Sequence, residues 1–196
     1  LDSHVAWLSI QAANYLISGD NPKRLGNGHP NIVPYQAFPT ADGHVIVAVG
    51  NDGQFARFCE AIERPELAHE PDYTSNRLRV KHRERLVAII AAAMAGFDCA
   101  TLHQAFEVAG VHFGPINTLD QVFDDPQIKA RGMRVKIPHA LGVDVEHAGN
   151  PIRYSASPVD YPRAAPLLGE HSDEVLNEWL GLDATAVAAL RQNGVV

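Results

Sequence analysis

The chain is poor in cysteine. Cys59 and Cys99 are the only two in 196 residues, each flanked by helix formers, so a disulfide framework is not expected and both read as small buried hydrophobes. Long apolar runs are also missing. Val45–Val49 and Leu86–Ala95 fall well short of the roughly 20 residues a membrane helix needs, and no charged-apolar-small leader opens the chain. The expectation is a soluble, cytoplasmic protein with no membrane partner. Positive charge is short as well: the formal net charge is −7, against the basic face that a nucleic-acid partner demands. The local exception is Arg77, Arg79, Lys81, His82, Arg83 and Arg85, which runs into Leu86, Ile89 and Ile90. That pattern predicts an amphipathic helix with its charges turned to water, the alternative being an anion-docking site.

Recognisable catalytic motifs are lacking too. None of the ten histidines stands in H-E-x-x-H or beside cysteine at ligand spacing, so no metal is expected. Ser155, Ser157 and Ser172 lack the G-x-S-x-G elbow of hydrolases. In Asp124-Asp125-Pro126 the second acid reads as a helix cap before proline. Gly50-Asn51-Asp52-Gly53 stands where a strand meets a helix and could hold a phosphate, but Asp52 would repel it and capping is the better reading. The chain offers no credible nucleophile.

What is present is a mixed pattern of helices and strands. Leu1, Val5, Leu8, Ala12, Tyr15 and Leu16 follow helical spacing from the first residue, with no methionine or cap ahead of them, which reads as a helix cut at its beginning; a trimmed disordered tail is the alternative. Ser18-Gly19-Asp20-Asn21-Pro22 breaks the pattern. Tyr35–Thr40 and His44–Val49 predict a hairpin whose Asp42-Gly43 supplies a positive φ. Asn51 and Gln54 have the form of a capping box ahead of Phe55, Phe58, Cys59 and Ile62 at helical spacing. Further helices are expected over 78–95 and from an Asp98 cap to a Gly110 stop, then an extended Val111–Ile116 and helix starts at Thr118 and Asp125. Beyond Met133 the expectation is strands at 134–137 and 150–155, then two helices ending at Gly181 and Gly194.

The most informative stretch is Arg24-Leu25-Gly26-Asn27-Gly28-His29-Pro30-Asn31-Ile32-Val33-Pro34-Tyr35-Gln36-Ala37-Phe38, followed by Ala41 to Asn51. Its two glycines permit close backbone approach to a ligand. A helix precedes and a strand follows, the reverse of a dinucleotide fingerprint, and taken alone such a loop is most often a turn. The whole stretch resembles the family III CoA-transferases, a group spanning formyl-CoA, carnitine and succinate/glutarate CoA-transferases and the α-methylacyl-CoA racemases. Gly114-Pro115-Ile116-Asn117, Asp125-Pro126-Gln127, Ala130-Arg131-Gly132-Met133 and Pro166–Ser172 extend the likeness over nearly the whole chain.

The resemblance implies an incomplete α/β fold: residues 1–22 as helix and connector of a large nucleotide-fold domain, 23–133 as a small α+β domain carrying the glycine loop, and 134–196 returning to the large domain. It implies that Gly26, Asn27, Gly28, His29 and Gln36 form a lid over an acyl-CoA substrate, although His29 and Gln36 taken alone read better as structural hydrogen-bonding residues. The catalytic aspartate would lie upstream of Leu1, in a missing N-terminal half, and no cofactor would be bound beyond coenzyme A thioester as substrate. An interlocked homodimer follows from the same likeness. The wording of Asn31–Phe38 is nearest the enzymes acting on small dicarboxylates, whose second carboxylate would need a cation, Lys23 or Arg24. On this reading the chain alone is inactive. A racemase-like enzyme and a free-standing, non-catalytic binding domain are the alternatives; an exposed apolar patch after Met133 would count against the latter.

Overall fold

Helical spacing in the first eighteen residues produces two helices, α1 (Asp2–Ala6) and α2 (Ser9–Ser18). They break where Ser9 takes φ +34°, a conformation that opposes a continuous helix. The apolar residues along them form no core: no residue of α1 or α2 is buried. The structure, a computed structural model, describes residues 1–196 in two units, Leu1–Ile116 and Asn117–Val196.

In the first unit β1 (Tyr35–Pro39) and β2 (His44–Ala48) form the expected hairpin, with Tyr35 opposite Ala48 and Pro39 opposite His44. The turn works differently from the prediction. Gly43 is absent from the positive-φ glycines; instead Asp42 accepts from the Thr40 hydroxyl at 3.0 Å and from the Cys99 backbone N–H at 2.8 Å. The loop is closed by a side chain bridging to the next helix. These bonds, the Cys99 N–H foremost, hold the Asp42 carboxyl below its ordinary pKa. Cys99 is only half-buried, its Sγ 3.1 Å from Thr40 Oγ1, so it is a polar contact as well as a small hydrophobe.

Period-two alternation along β2 turns Val45 and Val47 inward. Against them packs α3 (Asp52–Ala61), which buries Phe55, Phe58 and Cys59. Asn51 caps it, accepting from Gln54 N–H at 2.9 Å, while the Gln54 side chain reaches back to Gly50 N–H and not to the cap residue itself. The helix expected over 78–95 divides at His82 into α4 (Asn76–Lys81) and α5 (Arg83–Met94). From an Asp98 cap, α6 (Cys99–Ala109) runs to Gly110 at φ +61°. β3 (His112–Pro115) then adds to β2, giving an antiparallel sheet in the order β1-β2-β3. Phe38, Phe55, Phe58, Leu86, Ile90, Met94, Leu102 and Phe106 fill the space between sheet and helices. Each such side chain, fully buried, contributes about 1.5–3 kcal/mol.

The second unit begins with α7 (Leu119–Asp124), opened by a Thr118/Gln121 capping box, and α8 (Pro126–Ala130), capped by Asp125. β4 (Arg134–Pro138) pairs with β5 (Asp144–Ala148), so the partner strand lies earlier than the predicted 150–155. Pro151 lacks the N–H that a ladder needs, while Gly142 at φ +75° lets the chain turn after β4. Arg134 and Lys136 both pair with Glu146 across this ribbon. α9 (Ser172–Leu180) ends at Gly181 as expected, and α10 (Ala184–Gln192) follows its Asp183 cap. Only Ile137 and Val187 are buried hydrophobics in this unit. Leu141, Leu168, Trp179 and Leu180 are exposed.

The basic run contradicts its solvated-face expectation at Arg79, which is wholly buried. Its Nε donates to Val33 O at 2.8 Å, Nη1 to Tyr73 O at 3.0 Å and Nη2 to Asp52 at 2.8 Å, and its guanidinium lies 4.3 Å from the Phe55 ring centroid. A buried charge deprived of its partners is strongly destabilising. Arg79→Ala should lower unfolding free energy by about 3–5 kcal/mol, whereas Arg85→Ala, which removes an exposed pair with Asp72 and a loose contact 5.7 Å from the Tyr73 ring centroid, should cost about 1 kcal/mol or less. Urea unfolding followed by circular dichroism measures both; equal costs would contradict the role given to Arg79.

Candidate functional site

The glycine loop between α2 and β1 stands on two different footings. Gly26 takes φ +60°, and no heavy atom lies within 4 Å of where its Cβ would be. Its requirement for glycine is therefore conformational. Gly28 has ordinary backbone angles but a crowded setting: a Cβ there would stand 3.2 Å from Leu25 O, a tight approach, and 3.4 Å from Gln36 Oε1 and 3.5 Å from Arg83 Nη1. Asn27 Oδ1 accepts from Ala37 N–H at 3.1 Å, tying the loop tip to β1.

His29 and Gln36 are brought close to this turn. The His29 ring stacks on Tyr35 with centroids 5.1 Å apart, and its Nδ1 accepts from Asn31 N–H at 3.1 Å. In the neutral ring the proton therefore resides on Nε2, which remains a donor. Gln36 is half-buried and turns its Oε1 toward Gly28.

Lys23 and Arg24 are both exposed, yet they differ in setting. Lys23 lines a cleft of about 360 Å³ together with Gln11, Asn14, Leu25, Pro30 and Asn31, and Arg24 is not among its walls. The amides of Asn14 and Asn31 bond each other across it, Asn31 Nδ2 to Asn14 Oδ1 at 2.9 Å. Gln11 Oε1 is buried with no hydrogen-bond partner.

Three residues that sequence reasoning did not select support the loop. Asn76 Nδ2 donates to Asn31 O at 2.8 Å while its Oδ1 accepts from Val33 N–H at 3.1 Å. Arg79 takes Val33 O. Arg83 Nη2 donates to both His29 O, at 2.8 Å, and Pro30 O, at 2.7 Å. Partial burial lowers the Arg83 pKa from its ordinary value. The signal was in the spacing: 79, 83, 86, 90 and 94 lie three or four apart, so the arginines share the face of Leu86, Ile90 and Met94, all buried.

Burial raises both thiols, Cys59 to about 12, so neither is a ready nucleophile at neutral pH. Asp52 is committed to Arg79 and to Asn76 N–H, and Asp125 to the N–H groups of Gln127 and Ile128.

The model for CoA-transferase family III matches residues 1–172, and the chain belongs to that family. It is 43% identical to the succinate–glutarate CoA-transferase of Agrobacterium fabrum, over 95% of this chain and 46% of that protein. It is 39% identical to the human succinyl-CoA:glutarate CoA-transferase, over 100% of this chain and 45% of that one. A crystal structure of a CAIB/BAIF family protein from Brucella suis superposes with a TM-score of 0.74 at 40% identity, covering 88% of this chain and 44% of that one. The chain thus spans about half the length of the curated relatives it matches.

The two glycines make a contrasting prediction. Gly26→Ala should cost about 1–2 kcal/mol through left-handed strain alone, and Gly26→Asn less, because asparagine tolerates that region. Gly28→Asn, which must displace Leu25 O or Gln36, should be worse than Gly28→Ala. Chemical unfolding of the four variants tests this; a Gly26→Asn variant less stable than Gly26→Ala would contradict it.

Proposed function

We propose that the polypeptide to which this chain belongs moves CoA from an acyl-CoA thioester to a small carboxylic acid, with dicarboxylates of the succinate and glutarate kind as the substrates. The observation that carries the reading is the glycine loop standing in a chain of this family, beside a cleft that holds Lys23. The relatives, named as succinate–glutarate, succinyl-CoA:glutarate and succinyl-CoA:mesaconate CoA-transferases, favour the transferase reading over the racemase one. The exposed apolar residues of α1, α2 and the second unit favour a chain that packs against more protein over a free-standing binding domain.

In this reading an aspartate upstream of Leu1 attacks the thioester carbonyl and expels CoA thiolate, leaving an aspartyl mixed anhydride. The thiolate returns to the aspartyl carbonyl and releases the first acid, leaving an aspartyl-CoA thioester. The second acid attacks that thioester, expels the thiolate and forms a second anhydride, whose acyl carbonyl the thiolate then attacks to give the new acyl-CoA and free the aspartate. Water would hydrolyse either anhydride, so exclusion of solvent decides between transfer and loss of the thioester. Gly26, Asn27, Gly28, His29 and Gln36 form the lid. Backbone N–H groups of the loop hold the developing oxyanion, the His29 Nε2 proton and the Gln36 amide orient the incoming carboxylate, and Lys23 or Arg24 receives its second carboxylate. Lys23 is the better placed of the two because it borders the cleft. A homodimer, assembled with the N-terminal half of the same polypeptide in the cytoplasm, completes the proposal. Residues 1–196 alone carry no transferase activity.

The test uses the complete polypeptide with succinyl-CoA and glutarate. The expected products are glutaryl-CoA and succinate, separated by chromatography, with no α-proton exchange of a 2-methylacyl-CoA in D₂O. Proton exchange without thioester transfer would replace this reading by the racemase one. Lys23→Ala or Arg24→Ala should raise the glutarate KM roughly tenfold through loss of a charge-assisted contact. If neither does, the acceptor assignment is wrong.

A further inference from the structure

The backbone on the two sides of Gly28 is held to very different degrees. After it, nearly every polar group is taken. His29 N–H donates to Tyr35 O at 2.9 Å, and the His29 and Pro30 carbonyls accept from Arg83. Asn76 takes Asn31 O and Val33 N–H, Arg79 takes Val33 O, and Val49 N–H donates to Pro34 O. Before it, the tip is tied to the sheet by the one exposed bond from Ala37 N–H to Asn27, and Gly26 faces open space. Segments with few buried contacts and exposed hydrogen bonds open at low cost, whereas those bound into a core do not.

We propose that Arg83 is a positioning residue that divides the loop into a fixed half, residues 29–35, and a moving half, residues 23–28, so that closure turns about Gly28. The inference rests on the lid reading of the loop. Two side chains stand at the division: Gln36, whose Oε1 lies 3.4 Å from the position a Gly28 Cβ would take, and Arg83, whose Nη1 lies 3.5 Å from it. Of these, Arg83 alone holds the backbone, its Nη2 bridging the two successive carbonyls of His29 and Pro30. Gly28 passes beside the guanidinium, where a Cβ would touch Arg83 Nη1 at van der Waals distance and crowd Leu25 O at 3.2 Å. Anchoring the His29 carbonyl also fixes where the His29 ring stands on Tyr35. A lysine in place of Arg83 keeps the charge but carries its donors on a freely rotating ammonium, without the planar guanidinium that fixes where Nη2 stands. Arg83 touches no reacting atom in this scheme. Its effect on the reaction runs through the loop.

Arg83→Met, which keeps an apolar stem, and Arg83→Lys, which keeps the charge, are compared with wild type in the complete polypeptide. Two readouts are needed. Amide hydrogen exchange at His29, Asn31 and Val33 should accelerate about tenfold or more in Arg83→Met, the expected result of losing hydrogen bonds to a charged group, with Gly26 and Asn27 unchanged and Arg83→Lys intermediate. The ratio of succinyl-CoA hydrolysis to transfer should rise by a similar factor while the succinyl-CoA KM stays put. Unchanged exchange at residues 29–33 would overturn the proposal. So would faster exchange with an unchanged hydrolysis ratio in a wild type that transfers CoA, since Arg83 would then be structural only. A wild type that exchanges as expected but transfers no CoA would instead overturn the functional reading on which the proposal rests.

Discussion

The first unit is organised around the requirement that the buried Arg79 guanidinium be neutralised and hydrogen-bonded. An unpaired buried charge is among the costliest features a protein can carry. Three separate pieces of chain satisfy it: the loop end at Val33, the turn at Tyr73, and Asp52 at the start of α3. Each must therefore be in place for the others to be stable. Asp52 also receives Asn76 N–H, so the start of α4 is bound into the same arrangement. The guanidinium then stacks on Phe55, which faces the core. A polar network of this kind fixes the relative placement of the elements it joins more sharply than apolar contacts do, because its donors and acceptors have directions.

The consequence for the site is that the glycine loop is continuous with the core network on one side only. Asn76, Arg79 and Arg83 stand at positions 0, 3 and 7 of a helical repeat that tolerates the break at His82. Together they supply donors, and at Asn76 also an acceptor, to a stretch of backbone between Pro30 and Val33 that belongs to no strand or helix. Backbone groups away from water need partners, and here side chains supply them. The open cleft beside Lys23 borders that stretch at Pro30 and Asn31.

Much of this fold was legible in the sequence, for local reasons. The strands β1 and β2 follow from alternation, and α3, α6, α7 and α8 from caps at Asn51, Asp98, Thr118 and Asp125, each a short-range rule. The misplaced strand β5 was lost because Asp144-Val145-Glu146-His147-Ala148 is too polar for alternation to mark. Cross-strand charge pairs with Arg134 and Lys136 hold it instead. The turn at Asp42 was misjudged because its partner, Cys99 N–H, is distant in sequence. Arg79 and Arg83 were read as solvated because charge outweighed register in the reading, although both stand in register with the buried Leu86 and Ile90. The loop's identity came from family likeness, since two glycines in a loop are ordinary turn chemistry. In the second unit the stop of α9 at Gly181 follows from the same local rules, while Leu168, Trp179 and Leu180 remain exposed.

The central claim is that residues 1–196 supply the loop and its support while the covalent chemistry belongs to a carboxylate elsewhere in the polypeptide. Trapping tests it directly: the complete protein is incubated with succinyl-CoA, quenched with hydroxylamine, and mapped by peptide mass spectrometry for an aspartyl hydroxamate. The account predicts that the modified peptide lies outside residues 1–196. A hydroxamate on Asp42, Asp52 or any other carboxylate within them would contradict it.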